Sequence, residues 1–459
     1  MSEQQRSQIE PVGKIEPVGQ IEAVGKIGVV GTGYVGLTSG ACLAHIGHVV
    51  VCADIDARKV DRLNAGEIPI VEEGLAEIVA SSVAAGRLSF VLGAAAAASD
   101  ADVVFLCVPT PQDEDGSADL SYIQAAAAEI GPILKPGAVV VNKSTVPVGS
   151  TRVVSDVLRR DDIAVVSNPE FLREGTAVHD FLHPDRIVVG GPDRAACQRV
   201  AALYEPLQAP VIVTDAPSAE TIKYAANGFL AMKISFVNAV AAMCEAVGAD
   251  VAAVVEGIGS DRRIGPSFLK PGPGWGGSCF PKDSRALVAI ADKHGYDFSM
   301  MRGVIEVNDE QRARMIAKIA TMAGRGVAAG SLDGLVVAAW GLTFKAGTDD
   351  MRESPALAVI DALRALGAKV QAYDPTTVRE LDPVQQMRLG DLEPAATALD
   401  AVEGADILVI LTEWREFADV DLTKVAAQLR GDAIVDTRNL LEPTAVKAAG
   451  LRYDGVGRS

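Results

Sequence analysis

Between Lys26 and Asp54 the chain reads KIGVVGTGYVGLTSGACLAHIGHVVVCAD, an order of residues that few folds accommodate. A short apolar run predicts a strand. Gly31, Gly33 and Gly36 follow as G-x-G-x-x-G, then a helical stretch to about Gly47, then a second apolar run ending at Asp54. Three glycines at that spacing allow a tight turn and let backbone N–H groups at a helix start approach a pyrophosphate. Alone the pattern is weak, and a glycine-rich turn that binds nothing would look similar. With a strand before it, a helix after it and an acid at the end of the next strand, it predicts a dinucleotide site built on Gly31, Gly33, Tyr34, Val35 and Gly36. Asp54 is placed to accept from a ribose 2′-OH, and with Asp56 it would repel a 2′-phosphate, which favours NAD over NADP. Lys59 either flanks the adenosine ribose or is a solvated helix lysine.

Further strands are expected at ADVVFLCVPT, GAVVVNKST, IAVVSNPE, RIVVGG and PVIVTD. Ligands of an open parallel sheet collect beyond the carboxyl ends of its strands. By position in the pattern, Thr110, Ser144, Thr145 and Glu170 therefore point to one crevice. Residues 26–215 read as an NAD-binding Rossmann domain. Residues 216–330 read as a helical domain opening with one long helix from Ser218, the cap candidate, to Gly248. On that helix Lys223 and Asn227, four apart, share a face. Residues 331–459 return to an α/β pattern: LVVAAWG, a helix at SPALAVIDALRALG, then AKVQAYD, ADILVILT and DAIVDTRN as the last strand. The turn after Trp340 lacks the three glycines and carries Lys345 and Arg352, which suggests a different phosphate-bearing ligand. The fold class is thus α/β, with two Rossmann-like doubly wound domains joined by a central helical domain. A period-six repeat, IEPVGK, IEPVGQ, IEAVGK, occupies residues 1–25; three copies cannot bury a core, so a disordered leader without function is expected.

Composition excludes several classes. The 459 residues are 49% hydrophobic and 22% charged, enough for two or three cored domains. A net charge of −18 argues against nucleic acid or an anionic membrane as partner, because both need clustered Lys and Arg. With no secretory pattern and no uninterrupted apolar span of about 20 residues, the chain reads as cytoplasmic. No cysteine pair has metal-ligand spacing, so no metal is expected. Cys42, Cys52, Cys107 and Cys244 lie in apolar or Ala-rich runs, where a thiol packs as a small hydrophobe. Cys197 has nothing functional beside it. Cys279, in GGSCFPKD, alone sits in a glycine loop that could give access.

GTGYVGL, STVPVGST, NPEFLREGTAVHDF, PDRIVVG, ETIKYAANGFLAMKISFVNAV, RIGPSFLKPGPGWGGSCFPKD, FKAGTDDMRESP and YDP run in order from Lys26 towards the C-terminus. Together they resemble the UDP-glucose/GDP-mannose dehydrogenase family. The resemblance implies oxidation of a primary alcohol at C6 of a nucleotide sugar to a carboxylate, with two NAD and water. EFLREG with SCFPKD favours the glucose branch, with UDP-glucose or dTDP-glucose as substrate. GDP-mannose, a UDP-N-acetylhexosamine, a single-step hydroxyacid-type reaction and a non-catalytic NAD-binding protein remain as alternatives.

The resemblance also implies roles. Cys279 would capture the aldehyde as a thiohemiacetal that becomes a thioester. Lys223, Asn227 and Asp283 would hold a water or the sugar oxygen, the identity of the general base staying open. Glu170, with Thr145 near it, would activate water against the thioester. Thr110, Thr145, Glu174, Lys282 and Arg352 would lie on the cofactor side. Substrate contacts would come from Glu170, Phe171, Leu172 and Arg173, from Phe268, Leu269, Lys270, Pro271 and Gly272, and from Gly276, Lys223, Asn227 and Lys345. Arg438 is a further candidate for the nucleotide, with a surface arginine an equal reading. Arg263 matches an arginine that reaches a neighbouring subunit's site, which implies a homodimer or a higher even homo-oligomer. Pro273 and Trp275 depart from the PGFGFGGSC of many relatives, and an indole beside the pocket would alter substrate preference.

Overall fold

The structure, a computed structural model, describes residues 25–112, 118–378, 381, 383–390 and 392–458; the hexapeptide repeat lies outside them. The chain divides into two compact units, the first ending at Tyr224 and the second beginning at Ala225.

The first unit is built on an eight-stranded sheet. Its strands are β1 (Lys26–Val30), β2 (Val49–Asp54), β3 (Leu88–Leu92), β4 (Val103–Leu106), β5 (Val139–Asn142), β6 (Ala164–Ser167), β7 (Ile187–Gly190) and β8 (Val211–Thr214), in the order β3-β2-β1-β4-β5-β6-β7-β8. Val30 at the end of β1 aligns with Ala53 of β2 on one side and Leu106 of β4 on the other. The strand order reverses there, and the loop after β1 opens at that switch point. Every residue of β4 and β5 is buried, as expected for strands covered on both faces by helices. One face packs Ile27, Val29 and Val141 against Leu37 and Leu43 of the helix Tyr34–His45. The other packs Val30, Val104 and Val140 against Ile123 and Val154.

Two features depart from the sequence reading. β3 was not expected: it is a short edge strand that alternates buried Leu88 and Phe90 with exposed Ser89, so no long apolar run announces it. β7 pairs antiparallel to β6, so the carboxyl ends of β7 and β8 face away from those of β1 to β6.

The second unit holds an all-parallel five-stranded sheet, β9 (Val336–Trp340), β10 (Lys369–Tyr373), β11 (Ile407–Ile410), β12 (Ala433–Asp436) and β13 (Arg452–Gly455), ordered β10-β9-β11-β12-β13. β13 follows the strand expected to be last; its RYDG sequence is too polar to signal a strand. At the end of β10, Asp374 Oδ2 accepts from the N–H groups of Leu342 and Thr343 and from Trp414 Nε1. The acid at the corresponding strand end is thus buried and bonded within the protein.

The long helix spans Ala216–Val247, and the division between units falls inside it. Its cap is Asp215, whose carboxylate accepts from Ser218 N–H and Oγ, so the expected cap at Ser218 is displaced by three residues. This helix is long and apolar enough to cross a membrane by length and composition. Two of its buried polar side chains nevertheless bond to protein: Ser235 Oγ donates to Val304 O, and Asn238 Oδ1 accepts from Gly272 N–H.

Glu220 on the same helix accepts from Gly149 N–H, Thr151 N–H and Thr151 Oγ1, capping the helix Ser150–Leu158 from outside its own sequence. Glu220→Ala leaves those donors without their acceptor. A loss of about 2 kcal/mol of unfolding free energy is expected. A denaturant midpoint identical to the parent's would show that water replaces the carboxylate at no cost.

Candidate active site

The turn after β1 has the geometry its glycines require. Gly31 has φ +95°, and a Cβ there would lie 2.6 Å from Cys107 O. A Cβ at Gly36 would overlap Gly31 O, so the helix could not seat against the strand. At Gly33 the space is open, and this residue is the N-cap of Tyr34–His45 with no side-chain cap and no acid in the first turn. A helix N-terminus left in that condition suits a pyrophosphate. Asp54 ends β2; Oδ2 accepts from Thr32 N–H at 2.9 Å, from Thr32 Oγ1 at 2.6 Å and from Lys59 Nζ at 3.1 Å. Burial would push its pKa up, but the Thr32 and Asp56 hydrogen bonds and Lys59 hold the carboxyl below its ordinary range. It is therefore a fixed anion suited to a ribose diol. Lys59 neutralises Asp54 here in addition to any contact with ribose. Tyr34 OH bonds Glu72, and both accept from Gly175 N–H, which ties the loop after Glu174 to the dinucleotide turn. Sequence reasoning missed Glu72 because nothing local marks it.

At the carboxyl ends of β4 and β5 Thr110 and Thr145 are brought together, while Glu170, after β6, is bonded to the long helix. Thr110 Oγ1 donates to Thr145 O at 2.8 Å, and Ser144 Oγ donates to Val108 O. Glu170 is 5% exposed; its Oε1 accepts from Lys223 Nζ at 2.8 Å and its Oε2 from Leu172 N–H at 2.7 Å. Burial alone would push this carboxyl up, yet Lys223 and the Leu172 N–H outweigh it and hold Glu170 below the usual carboxylate range. Phe171 stands beside the pair, with Lys223 Nζ 5.6 Å from its ring centroid and the Arg186 guanidinium 3.6 Å over it. Arg186, from PDRIVVG, was missed, because only its contact with Phe171 marks it. Arg173 is instead held by Asp180 through Nε and Nη2, on the exposed side of the loop.

In the second unit Cys279 is the N-cap of the helix Phe280–Lys293, where the helix dipole favours a negative charge. Its Sγ lies 3.6 Å from Ser278 Oγ. Cys279 is partly exposed, whereas the other cysteines are buried. Burial raises the thiols of Cys42 and Cys52 and takes that of Cys107 to about 12, so they stay neutral. One turn into the helix, Asp283 is fully buried; its Oδ2 accepts from Asn227 Nδ2 at 2.6 Å and its Oδ1 from Lys282 Nζ at 2.6 Å. Cys279, Lys282, Asp283 and Asn227 thus form one constellation.

The loop before Cys279 is fixed by partners that the sequence did not reveal. Gly272 N–H donates to Asn238 and Gly272 O accepts from Gln311, while Asn308 bonds both N–H and O of Trp275. Trp275 packs with Ala231, Val288, Met301 and Val304, and its Nε1 donates to Ser235 Oγ at 2.9 Å. The indole is therefore core packing that anchors the loop, and the expected indole beside the pocket gives way to that role. Gly276 approaches Glu353 O so closely that a Cβ would overlap it. Phe268, at φ +63°, faces Phe280 with centroids 6.2 Å apart; Leu269 is buried, Lys270 exposed and Pro271 half-buried. A Cβ on Gly272 would lie 3.6 Å from Arg438 Nη1. Arg438 Nε donates to Leu411 O and its Nη2 to Phe344 O, so it is a structural brace at the FLKPG loop rather than a surface arginine. Lys345 Nζ lies 5.6 Å from the Phe344 ring. Arg263 and Arg352 are exposed and chelated by Asp261 and Asp350, outside these clusters.

Sequence models of the UDP-glucose/GDP-mannose dehydrogenase family match in order: its NAD binding domain over residues 25–208, its central domain over 217–310 and its UDP binding domain over 338–443. The chain belongs to this family. It is similar to UDP-glucose 6-dehydrogenase of Bacillus subtilis, 46% identical with 93% of this chain and 92% of that one covered, and to UDP-glucose 6-dehydrogenase of Rhizobium meliloti, 46% identical with 93% and 98% covered. Among solved structures, a UDP-glucose dehydrogenase from Pyrobaculum islandicum superposes with TM-score 0.85 at 35% identity, covering 98% of this chain and 100% of that one. Membership of the UDP-glucose/GDP-mannose dehydrogenase family makes the chain an NAD-dependent oxidoreductase, and the Asp54 site fits that cofactor.

Replacing Asp54 by Asn removes the charge that would meet a 2′-phosphate. The ratio of kcat/KM for NAD over NADP should fall at least about tenfold, equivalent to about 1.4 kcal/mol. Unchanged selectivity would show that Asp54 does not face the ribose.

Proposed function

We propose that the protein oxidises UDP-glucose at C6 to the uronate. Support comes from the relatives' shared name, from a UDP binding domain match at residues 338–443 and from two intact constellations, Glu170–Lys223 and Cys279–Asp283–Asn227. NAD, when bound, accepts a hydride at each of two successive oxidations. In our reading Asn227, Asp283 and Lys223 hold the C6 oxygen while the alcohol loses its proton. The Cys279 thiolate then adds to the aldehyde carbon, and its oxygen takes a proton. A tetrahedral thiohemiacetal results, whose oxidation leaves a thioester on sulfur. Glu170 takes a proton from water as that water attacks the thioester carbon, and the carboxylate leaves as the thiol is restored. One alcohol, two NAD and one water give one carboxylate, two NADH and three protons.

The division into an NAD-binding part (26–215), a central helical part (216–330) and a nucleotide-sugar part (331–459) belongs to the same proposal. So does assembly as a dimer, supported by Phe229, Phe236 and Met243, which lie exposed at seven-residue spacing on Ala216–Val247.

The observation that carries the reading is the position of Cys279, half-exposed at a helix start, one turn from a buried carboxylate bonded to Asn227. The test is NADH formed against a panel of UDP, dTDP and GDP sugars. Two NADH per UDP-glucose consumed is the expected result. A single NADH per sugar would favour one-step alcohol oxidation, and a preference for dTDP-glucose, GDP-mannose or a UDP-N-acetylhexosamine would reassign the substrate.

A further inference from the structure

Lys143, at the end of β5, is a buried cation that the reaction just described does not use. It is 5% exposed. Its Nζ donates to Asn168 Oδ1 at 3.0 Å and to Tyr204 OH at 3.2 Å, and lies 5.4 Å from the Tyr204 ring centroid. Tyr204 OH in turn donates to Asn168 Oδ1 at 2.6 Å, and Asn168 Nδ2 donates to Val188 O at 2.7 Å. Asn168 N–H closes the cluster on Asn142 O, so the amide is held at its backbone and at both side-chain atoms. Pro169 and Glu170 follow directly, which makes this cluster the foundation of the turn presenting Glu170.

No carboxylate forms an ion pair with Lys143 among the described residues. The titratable groups that face it are Cys107 from the end of β4, Glu170 from the β6 turn, Lys223 from the long helix and Tyr204. Burial raises both the Cys107 thiol and the Tyr204 phenol, which keeps both neutral. Glu170 is therefore the one anion near Lys143, although Lys223 is hydrogen-bonded to it. A buried ammonium shared in this way is costly, and burial brings Lys143 down to about 8. Simple packing would be served as well by Met at the same volume.

We propose that Lys143 is a positioning residue for the water-dependent stage: it fixes the Asn168–Pro169–Glu170 turn and supplies a second positive charge to the Glu170 carboxylate. This rests on the reading of Glu170 as the group that activates water. With Lys143 charged, Glu170 stays ionised and ready to take a proton to lower pH. Lys143 touches neither sugar nor dinucleotide in this account, so its effect appears in the rate and its pH dependence rather than in KM.

The experiment follows uronate release in a single turnover from pH 3.5 to 9 for the parent and for Lys143→Gln, Lys143→Met and Lys143→Arg. The acid limb should move up by about one pH unit in Gln and Met, stay in place in Arg, and leave KM for UDP-glucose and NAD within about twofold. An acid limb unmoved in Gln and Met, or moved equally in Arg, overturns the proposal. Should neither neutral variant fold, Tyr204→Phe tests the same link. Withdrawing one acceptor from the ammonium should shift the limb in the same direction by a smaller amount, and no shift overturns the inference. Glu170→Gln, measured alongside, separates the two failures. Full-rate uronate release in Glu170→Gln removes the role of Glu170 itself, whereas slow release there with unmoved Lys143 profiles removes only the inference about Lys143.

Discussion

Cys279→Ser is expected to abolish uronate formation, lowering kcat at least about 10³-fold. The reason lies in what carbon six must become before it can be oxidised twice. An aldehyde has no hydride to give until a nucleophile makes its carbon tetrahedral. A serine hydroxyl at the N-cap of Phe280–Lys293 remains protonated at neutral pH, and a thiol at the same place ionises far more readily. The hydroxyl also forms a poorer adduct and a less reactive ester. The substitution is nearly isosteric, and the side chain lies at the edge of the loop rather than in a core cluster, so folding should be unaffected. Stoichiometry supplies the sharper readout: residual NADH formation in the variant should fall to no more than one per sugar, and mass spectrometry of the quenched parent should find the uronyl adduct on the Cys279 peptide. A Cys279→Ser enzyme that makes acid at the parent's rate would leave water or another group as the nucleophile.

How much of this was legible in the chain depends on the range of the interaction involved. The β1 turn could be read from Gly31, Gly33, Gly36 and Asp54 because a strand, a tight turn and a helix start are local demands on residue type. The acid's bond to Thr32 confirms that geometry. Edge strands β3 and β13 were not legible, since each needs only alternating or short apolar character that pairing to a neighbour completes. Antiparallel β7 escaped for a related reason: strand direction is set by what the chain does between strands, not by the residues within one. At the site, family motifs located Cys279, Asp283, Asn227, Lys223 and Glu170. They gave no account of Lys143, Glu72, Asn238 or Asn308, whose roles come from contacts tens to a hundred residues away. Trp275 shows the converse error. Its place beside SCFPKD suggested a pocket wall, whereas the Ser235 hydroxyl and an apolar cluster give the indole a better home inside.

The largest expected effect on stability comes from separating Glu170 from Lys223. Both side chains are about 95% buried, and Nζ and Oε1 are 2.8 Å apart. In the parent the Glu170 pKa lies below its unfolded value, which is about 4.3. A depressed carboxylate contributes stability that is fully present above the unfolded value, and this contribution is lost as pH falls through the folded one. Lys223→Met removes the main compensation and leaves the carboxylate buried, with Leu172 N–H and the more distant Lys143 as its remaining support. Breaking a buried pair on one side costs about 3–5 kcal/mol, far more than an exposed pair would. Burial then dominates, so the Glu170 pKa rises above its unfolded value and the slope reverses. The variant gains stability as pH is lowered from 7 towards 5, because protonation removes the stranded charge. Lys223→Met with Glu170→Gln takes away the charge as well as its partner and should recover most of the loss at pH 7. Chemical denaturation of the parent, the single variant and the double variant at pH 5 and pH 7 reads both effects. A single variant as stable as the parent at pH 7, with the same slope, would mean that water reaches Glu170 and that the pair is not sealed inside the protein.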